Sequence, residues 1–562
     1  MTDIVTDSPT NNFCVLNYNG GSGTKPVDGG LSGSAAGTSG WRHSYGTFPL
    51  TRGKWYWEYR FSGSVDGSNG IFMGLAHPDL TYERDINSIS ADMYGRQNQD
   101  RYANGTNTGS IFANVSSGDT VQFAFDADTG VMWSGLNNTW TGADPSTGNS
   151  PSFTGIDASK GYVPMTGSYG SNNYNKVNFG QQGFKYTPPS GYKAICSEFM
   201  EMPEAKILNP KKHFDVVTWS GNSSTSNRKI SGLEFQPDLV WTKTRNHTYH
   251  HVWFDSNRGP SFRINADRSE AENTTNGGYL ASFDHDGFTW QYGGGSSNEW
   301  WNESGKNYVA WCWKAGGTAV ANSDGDVTSQ VSVNDEAGFS IVKFTFPASG
   351  DAFSVGHGLG KIPELIIMKN RSHNNNWDVY HHGNGNSPEH HRLRLNTNDS
   401  RQDATAWNDF VPTSTIFKSR TSGNWYNANS NAIAYCWYSI PGYSAFGCYE
   451  GNGQSDGPFI YTGFRPAMII TKSYSNGGGS YNWFMCDSTR GPRNNIYQRF
   501  QPNDTSSEVT DSSNAATVDF YSDGFKLRGT GSMLNGNTVE YVYMAWAEQS
   551  TNTPYASEPN AR

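Results

Sequence analysis

The sequence predicts an all-β protein of four β-sandwich, jelly-roll-like domains in a row. Three observations predict it. Aromatic residues make up 14% of the 562 residues and Gly counts 64, a composition suited to short packed strands joined by tight turns. Runs such as Lys54–Phe61 (KWYWEYRF) alternate aromatic and polar residues, the period of a half-buried strand. One pattern also returns three times, as Phe235–Pro260 (FQPDLVWTKTRNHTYHHVWFDSNRGP), Ile362–Asn384 (IPELIIMKNRSHNNNWDVYHHGN) and Phe464–Pro492 (FRPAMIITKSYSNGGGSYNWFMCDSTRGP). Self-similarity of this kind decides architecture before any single site is weighed.

Composition excludes several classes. Charged residues are 16% and the net charge is -10, so no basic footprint for nucleic acid is present. The six Cys form no metal-type C-x-x-C pair, and so few in a chain of 562 residues argue against a disulfide scaffold and for thiols made in a reducing compartment. The N-terminal residues lack the basic and apolar regions of a signal peptide. No apolar run reaches the ~18 residues of a membrane span, so no membrane insertion is expected. Synthesis in a host cytoplasm and release by lysis within a virus particle fit these features.

In chain order, residues 1–12 read as an N-terminal arm. Residues 13–195 carry strand signals at Lys54–Phe61, Ile71–Ala76 and Asp119–Phe125, and a turn at Asp126–Gly130 makes a hairpin with Val131–Leu136. Gly53–Phe61, Ile71–Ala76, Gly118-Asp119, the Asp126–Gly130 turn, Tyr162-Val-Pro164, Val177–Gly180 and Phe184–Pro189 together resemble the strands of SPRY domains in family order. The resemblance implies a bent β-sandwich whose loops bind partners, without catalysis.

Residues 196–211 read as a linker. Repeats are then expected at 212–317, 338–442 and 443–549, with a linker or hairpin at 318–337 and a tail at 550–562. The opening aromatics Phe214, Phe339 and Tyr443 precede Pro237, Pro363 and Pro466 by 23, 24 and 23 residues, and those prolines precede Trp253, Trp377 and Trp483 by 16, 14 and 17. Closing strands Tyr308–Trp313, Ile433–Trp437 and Tyr541–Trp546 place Cys312, Cys436 and Ala545 in one slot. At roughly 105 residues each repeat is sandwich-sized, so separate beads with separate cores are expected. The Pro-Asp-Leu-Val-Trp-x-Lys opening, the Trp-Phe-Asp-Ser-x-Arg-Gly-Pro segment and the Ala-Trp-Cys-Trp strand resemble an uncharacterised module of marine bacteriophage tail-fibre and virion proteins.

Trp253, Trp377 and Trp483 recur inside strand-like runs and read as core. Loop aromatics are better ligand candidates: Trp300, Trp425 and Tyr426 lie in Gly/Asn/Ser loops, where an aromatic beside Asn suits a glycan. Arg258 and Arg490 could hold a carboxylated sugar in bidentate fashion, though pinning their own loops is the plainer reading. His250 and His251 lie in the variable loop of the first repeat, the place to seek specificity. No His spacing is shared by all three repeats, and the Asp pairs in DADTG and SDGD lack a full Ca²⁺ loop. No metal, no cofactor and no catalytic motif is expected.

The functional expectation is a phage tail fibre or related surface fibre. It would attach the particle to host-surface glycan or protein by multivalent contacts, as a homotrimer joined to other virion proteins through the arm. A capsid decoration or tail adaptor, and a polysaccharide-degrading spike, are the alternatives.

Overall fold

The computed structural model describes residues 13–18, 31–34, 41–62, 70–77, 93–169, 174–196, 199, 206–273, 279–292, 300–348, 352–385, 387–403, 406–420, 428–475, 481–510 and 515–549. The expected arm, the tail and the Trp425–Tyr426 loop lie outside them. Two compact units are present, Met1–Met202 with Pro458–Tyr461, and Pro203–Gly457 with Thr462–Arg562.

The first unit is a sandwich of two antiparallel sheets. One has seven strands, in the order Leu16–Tyr18, Trp41–Gly46, Val163–Tyr169, Ile71–Ala76, Met93–Gln97, Asp100–Ala103 and Thr106–Ser110. The other has six, with Lys54–Ser62 between Thr120–Asp126 and Tyr174–Asn178. Buried Trp57 stacks on Phe123 with ring centroids 5.4 Å apart. The Tyr59 hydroxyl crosses to the other sheet and donates to the Met165 carbonyl at 2.6 Å. The predicted hairpin is present, with Val131 opposite Asp126. Asp126 Oδ1 accepts the amides of Asp128 and Thr129, so this carboxylate builds the turn. Gly130 is left-handed at φ +67°, and a side chain there would collide with the Ile156 carbonyl.

Three of the sheets in the second unit share one strand order. An opening strand (Phe214–Ser220, Phe339–Thr345, Ser444–Glu450) pairs with a closing strand (Asn307–Trp313, Asn431–Trp437, Glu540–Gln549). The closing strand pairs with a Pro-led strand (Leu239–Thr244, Leu365–Asn370, Arg465–Ser473), and that with a rim strand (Val252–Asp255, Asp378–His381, Phe484–Asp487). On one face the first and second of these sheets each have their own apolar core. Trp219, Phe288, Trp290 and Trp301 belong to the first, and Phe344, Phe353, Trp407 and Phe417 to the second. The segment 318–337, expected as a linker or hairpin, forms a hairpin, Val320–Asn322 with Ser329–Asn334, that extends the second sheet beside Phe339–Thr345. Val331 points into that core, and this burial holds the segment in the sheet.

The expectation of separate beads is corrected. Leu239–Thr244 and Leu365–Asn370 are buried at every residue, and strands buried on both faces need a cover on each. The second face of each sheet packs on its neighbours, and the three close into a ring. Trp313, Trp437 and Trp546 meet pairwise there, with centroids 6.3, 6.1 and 5.3 Å apart. Register corrects the alignment of the tryptophans too. Leu239 opposes Asp255, Leu365 opposes His381 and Met468 opposes Asp487. Asp255, His381 and Asp487 are therefore equivalent, and the place of Trp377 and Trp483 belongs to His251. Trp253 stands where the other sheets have Val379 and Met485. All three tryptophans are buried.

Candidate functional site

The site grows out of how the ring is closed. Lys243, Lys369 and Lys472 each follow their strand-leading proline by six residues, and each side chain is buried. The three ammonium groups reach across to a backbone carbonyl of the neighbouring sheet: Lys369 to Ser269, Lys472 to Asn398 and Lys243 to Thr505, at 3.0, 3.0 and 3.1 Å. Burial pulls each of these lysines down to about 7. Ammonium groups with carbonyl acceptors of this kind pin loops rather than bind ligand. The same loops are fixed from within. The Oδ1 atoms of Asp267, Asn396 and Asn503 accept the amides of His251, Trp377 and Trp483 at 3.0, 2.9 and 2.9 Å.

These pinned loops converge on a polar pocket of about 490 Å³, lined by residues 267–270, 396 and 503–505. One sheet supplies Asp267, Arg268 and Glu270, the next Asn396, and the third Asn503 and Asp504. Such carboxylates, amides and hydroxyls suit the hydroxyl groups of a polyol.

An aromatic cluster joins the pocket through His250. Its Nδ1 lies 2.6 Å from Asp267 Oδ2, and its ring packs on half-buried Trp300 at 5.1 Å. Tyr249 stacks offset on Trp300 at 6.4 Å, and its hydroxyl donates to Glu303 at 3.0 Å. The Arg263 guanidinium lies 4.4 Å from the Trp300 ring centroid, within cation–π range. Burial lowers the Arg263 pKa, partly offset by Glu270. Tyr249, His250, Arg263 and Trp301 thus pack around Trp300, which stays half-buried.

The structure places Trp300 and His250 beside the pocket's Asp267, and His251, Arg258 and Arg490 in the interior. His251 is fully buried, with Nδ1 accepting the Trp241 indole N–H at 3.0 Å. Arg258 is buried against Asp255 and donates to Glu272 at 3.0 Å. Arg490 is buried against Asp487 and Glu508, at 2.6 and 2.9 Å. Both guanidinium groups are buried and paired with carboxylates inside the ring, away from the pocket lining. The lysines and Arg263 were missed by sequence reasoning. For the lysines a signal existed, the constant six-residue offset from proline; for Arg263 none did, since its role depends on a ring brought from Trp300. No group of three or more His, Cys, Asp or Glu among the described residues could hold a metal.

Comparison with known proteins adds a family. Residues 209–550 match, as one continuous stretch, the family described as Domain of unknown function (DUF7483). Its unit is thus the whole three-sheet ring, where three copies of a smaller module were expected. No curated protein matches the chain in sequence. Among solved structures, the SPRY domain of human HERC1 is 16% identical, with 30% of this chain and 95% of that one covered and a TM-score of 0.22. A human SPRY domain is 17% identical, with 26% and 91% covered and a TM-score of 0.21.

Proposed function

We propose that this chain, which belongs to the DUF7483 family, is a bacteriophage tail fibre or related surface fibre that binds host-surface glycan through the Trp300 cluster and the adjoining pocket. The observation that carries the reading is their continuity: an aromatic group and a polar pocket, joined by His250 and Asp267. Aromatic rings give apolar contact to sugar faces, while carboxylates and amides give orientation. The chain is proposed to act without cleaving the glycan and to gain avidity from several copies on the particle. A homotrimer, and attachment to other virion proteins through residues 1–12, complete the proposal.

A glycan array and labelled-protein staining of candidate host cells test it together. Binding by the native chain, lost in Trp300→Ala at unchanged thermal stability, is the expected result. Absence of binding to every glycan and cell tested, with capture of the chain by purified virion proteins, would favour a capsid or tail adaptor instead. Oligosaccharide release from a bound polysaccharide would refute non-enzymatic attachment.

A further inference from the structure

The three seams of the ring are built from equivalent positions, and one of them differs at every member. Between the first and second sheets, Asp255 holds Arg258, Arg258 donates to Glu272, and Glu272 pairs with Arg371 at 2.6 Å. Between the third and first sheets, Asp487 holds Arg490, Arg490 donates to Glu508, and Glu508 pairs with Arg245 at 2.9 Å. In both, a closing-strand side chain of the neighbour completes the first carboxylate. The Tyr435 hydroxyl donates to Asp255 at 2.7 Å, and the Trp311 indole to Asp487 at 3.0 Å.

Between the second and third sheets the corresponding residues are His381, Asn384, Arg401 and Tyr474. The closing strand there offers Met544, which cannot donate. His381 Nε2 turns to the Tyr543 carbonyl instead, at 3.0 Å. Asn384 is fully buried, and neither its amide nitrogen nor its oxygen has a hydrogen-bond partner among the described residues. A buried amide unmet at both ends penalises the closed state and would be relieved by water on opening. The other two seams carry a paired guanidinium in its place.

From this contrast we propose that the second unit opens at the seam between its second and third sheets. The pocket opens with it, because Asn396 lies on one side of that seam and residues 503–505 on the other. The rest of the ring stays closed through its two charged chains.

Three equivalent backbone amides cross the seams and report on each. Glu272 donates to the Arg371 carbonyl at 2.8 Å, Glu508 to Arg245 at 2.6 Å, and Arg401 to Tyr474 at 3.1 Å. Hydrogen exchange of the full chain is expected to give the Arg401 amide a protection factor at least tenfold below those of Glu272 and Glu508. A lock tests cause. A Cβ on Gly383 would stand 3.2 Å from the Cβ of Cys448 across the same seam, a few tenths of an ångström inside the about 3.5–4.5 Å that a disulfide spans, so a small outward shift lets the bond close. Oxidised Gly383→Cys should raise Arg401 protection to the level of the other two, and reduction should reverse it. Equal protection at all three amides in the native chain overturns the proposal, as does lower protection at another seam. A closed disulfide that leaves Arg401 exchange unchanged overturns it too. The native comparison decides the question even if the cysteine variant fails to fold.

Discussion

Acidification should loosen the ring through histidines that the fold holds neutral. His381 is fully buried; its Nε2–H donates to the Tyr543 carbonyl, and its Nδ1 accepts the Gly383 amide, both at 3.0 Å. A proton added at Nδ1 would face an N–H. His251 repeats the arrangement, with Nδ1 accepting the Trp241 indole. In His357, Nδ1 accepts the Leu359 amide and Nε2 donates to the Thr413 carbonyl. Burial is the main cause lowering all three pKa values. His382 adds to it for His381, and Lys243, Arg490 and His250 add to it for His251. With folded values below the ordinary 6.5, the unfolded chain binds more protons. Stability is therefore fully present above about pH 6.5 and is lost as pH falls toward the folded values. At pH 5.5 a histidine whose folded pKa lies well below that pH costs at most about 1.4 kcal/mol; His251 and His381 are the two lowered that strongly, and His357 adds in the same direction. Half-buried Asp215 and buried Asp238, whose pKa values are raised by desolvation, act in the opposite sense at lower pH. Denaturant unfolding of the native chain and of His381→Gln at pH 7.5 and 5.5 isolates one histidine. The native chain should lose more than the variant over this interval, by up to about 1.4 kcal/mol. Equal losses would show that His381 titrates normally and that its seam is solvated.

Further expectations follow from burial and pairing. Trp301→Ala should cost about 3–5 kcal/mol because the ring is buried in the first core, while Trp300→Ala, half-exposed, should cost below about 1.5 kcal/mol; denaturant titration compares them. Arg490→Met leaves buried Asp487 with no cation and Glu508 with Arg245 alone and should cost about 3–5 kcal/mol, read as a lowered unfolding midpoint. Asn384→Leu removes the unmet amide and should leave stability unchanged or raise it by up to about 2 kcal/mol, whereas Leu at a satisfied buried amide such as Asn535 should destabilise.

Which parts of this were readable in the chain follows from what kind of interaction carries each. The hairpin at Asp126–Gly130 and the strands at Lys54–Phe61 are local, and residues within a few positions of one another decide them. The likeness of the three sheets was readable because proline and closing-strand positions recur. Their closure into one ring was not, although its physical sign was present. LVWTKT and LIIMKN lack the alternation of a half-buried strand, and a sheet apolar on both faces cannot remain a bead. Counting from Trp to Trp then equated Trp253 with Trp377 and Trp483, because a conspicuous side chain was followed instead of the partner across the sheet.

The seams show how long-range pairing explains substitutions that look arbitrary along the chain. Asp255 and Asp487 each face a donor, Tyr435 or Trp311, and a buried carboxylate needs such donors. Where the neighbouring strand has Met544, a carboxylate would lack that donor, and the position is His381, whose neutral ring can use a backbone carbonyl. Arg258 and Arg490 follow the same logic, since a guanidinium is tolerable in the ring only beside its Asp and Glu. With His381 and Arg401 in those two places, a third arginine at position 384 would have had no counter-charge. Asn384 is the neutral outcome, and its unpaired amide is the cost that marks this seam as the one to open.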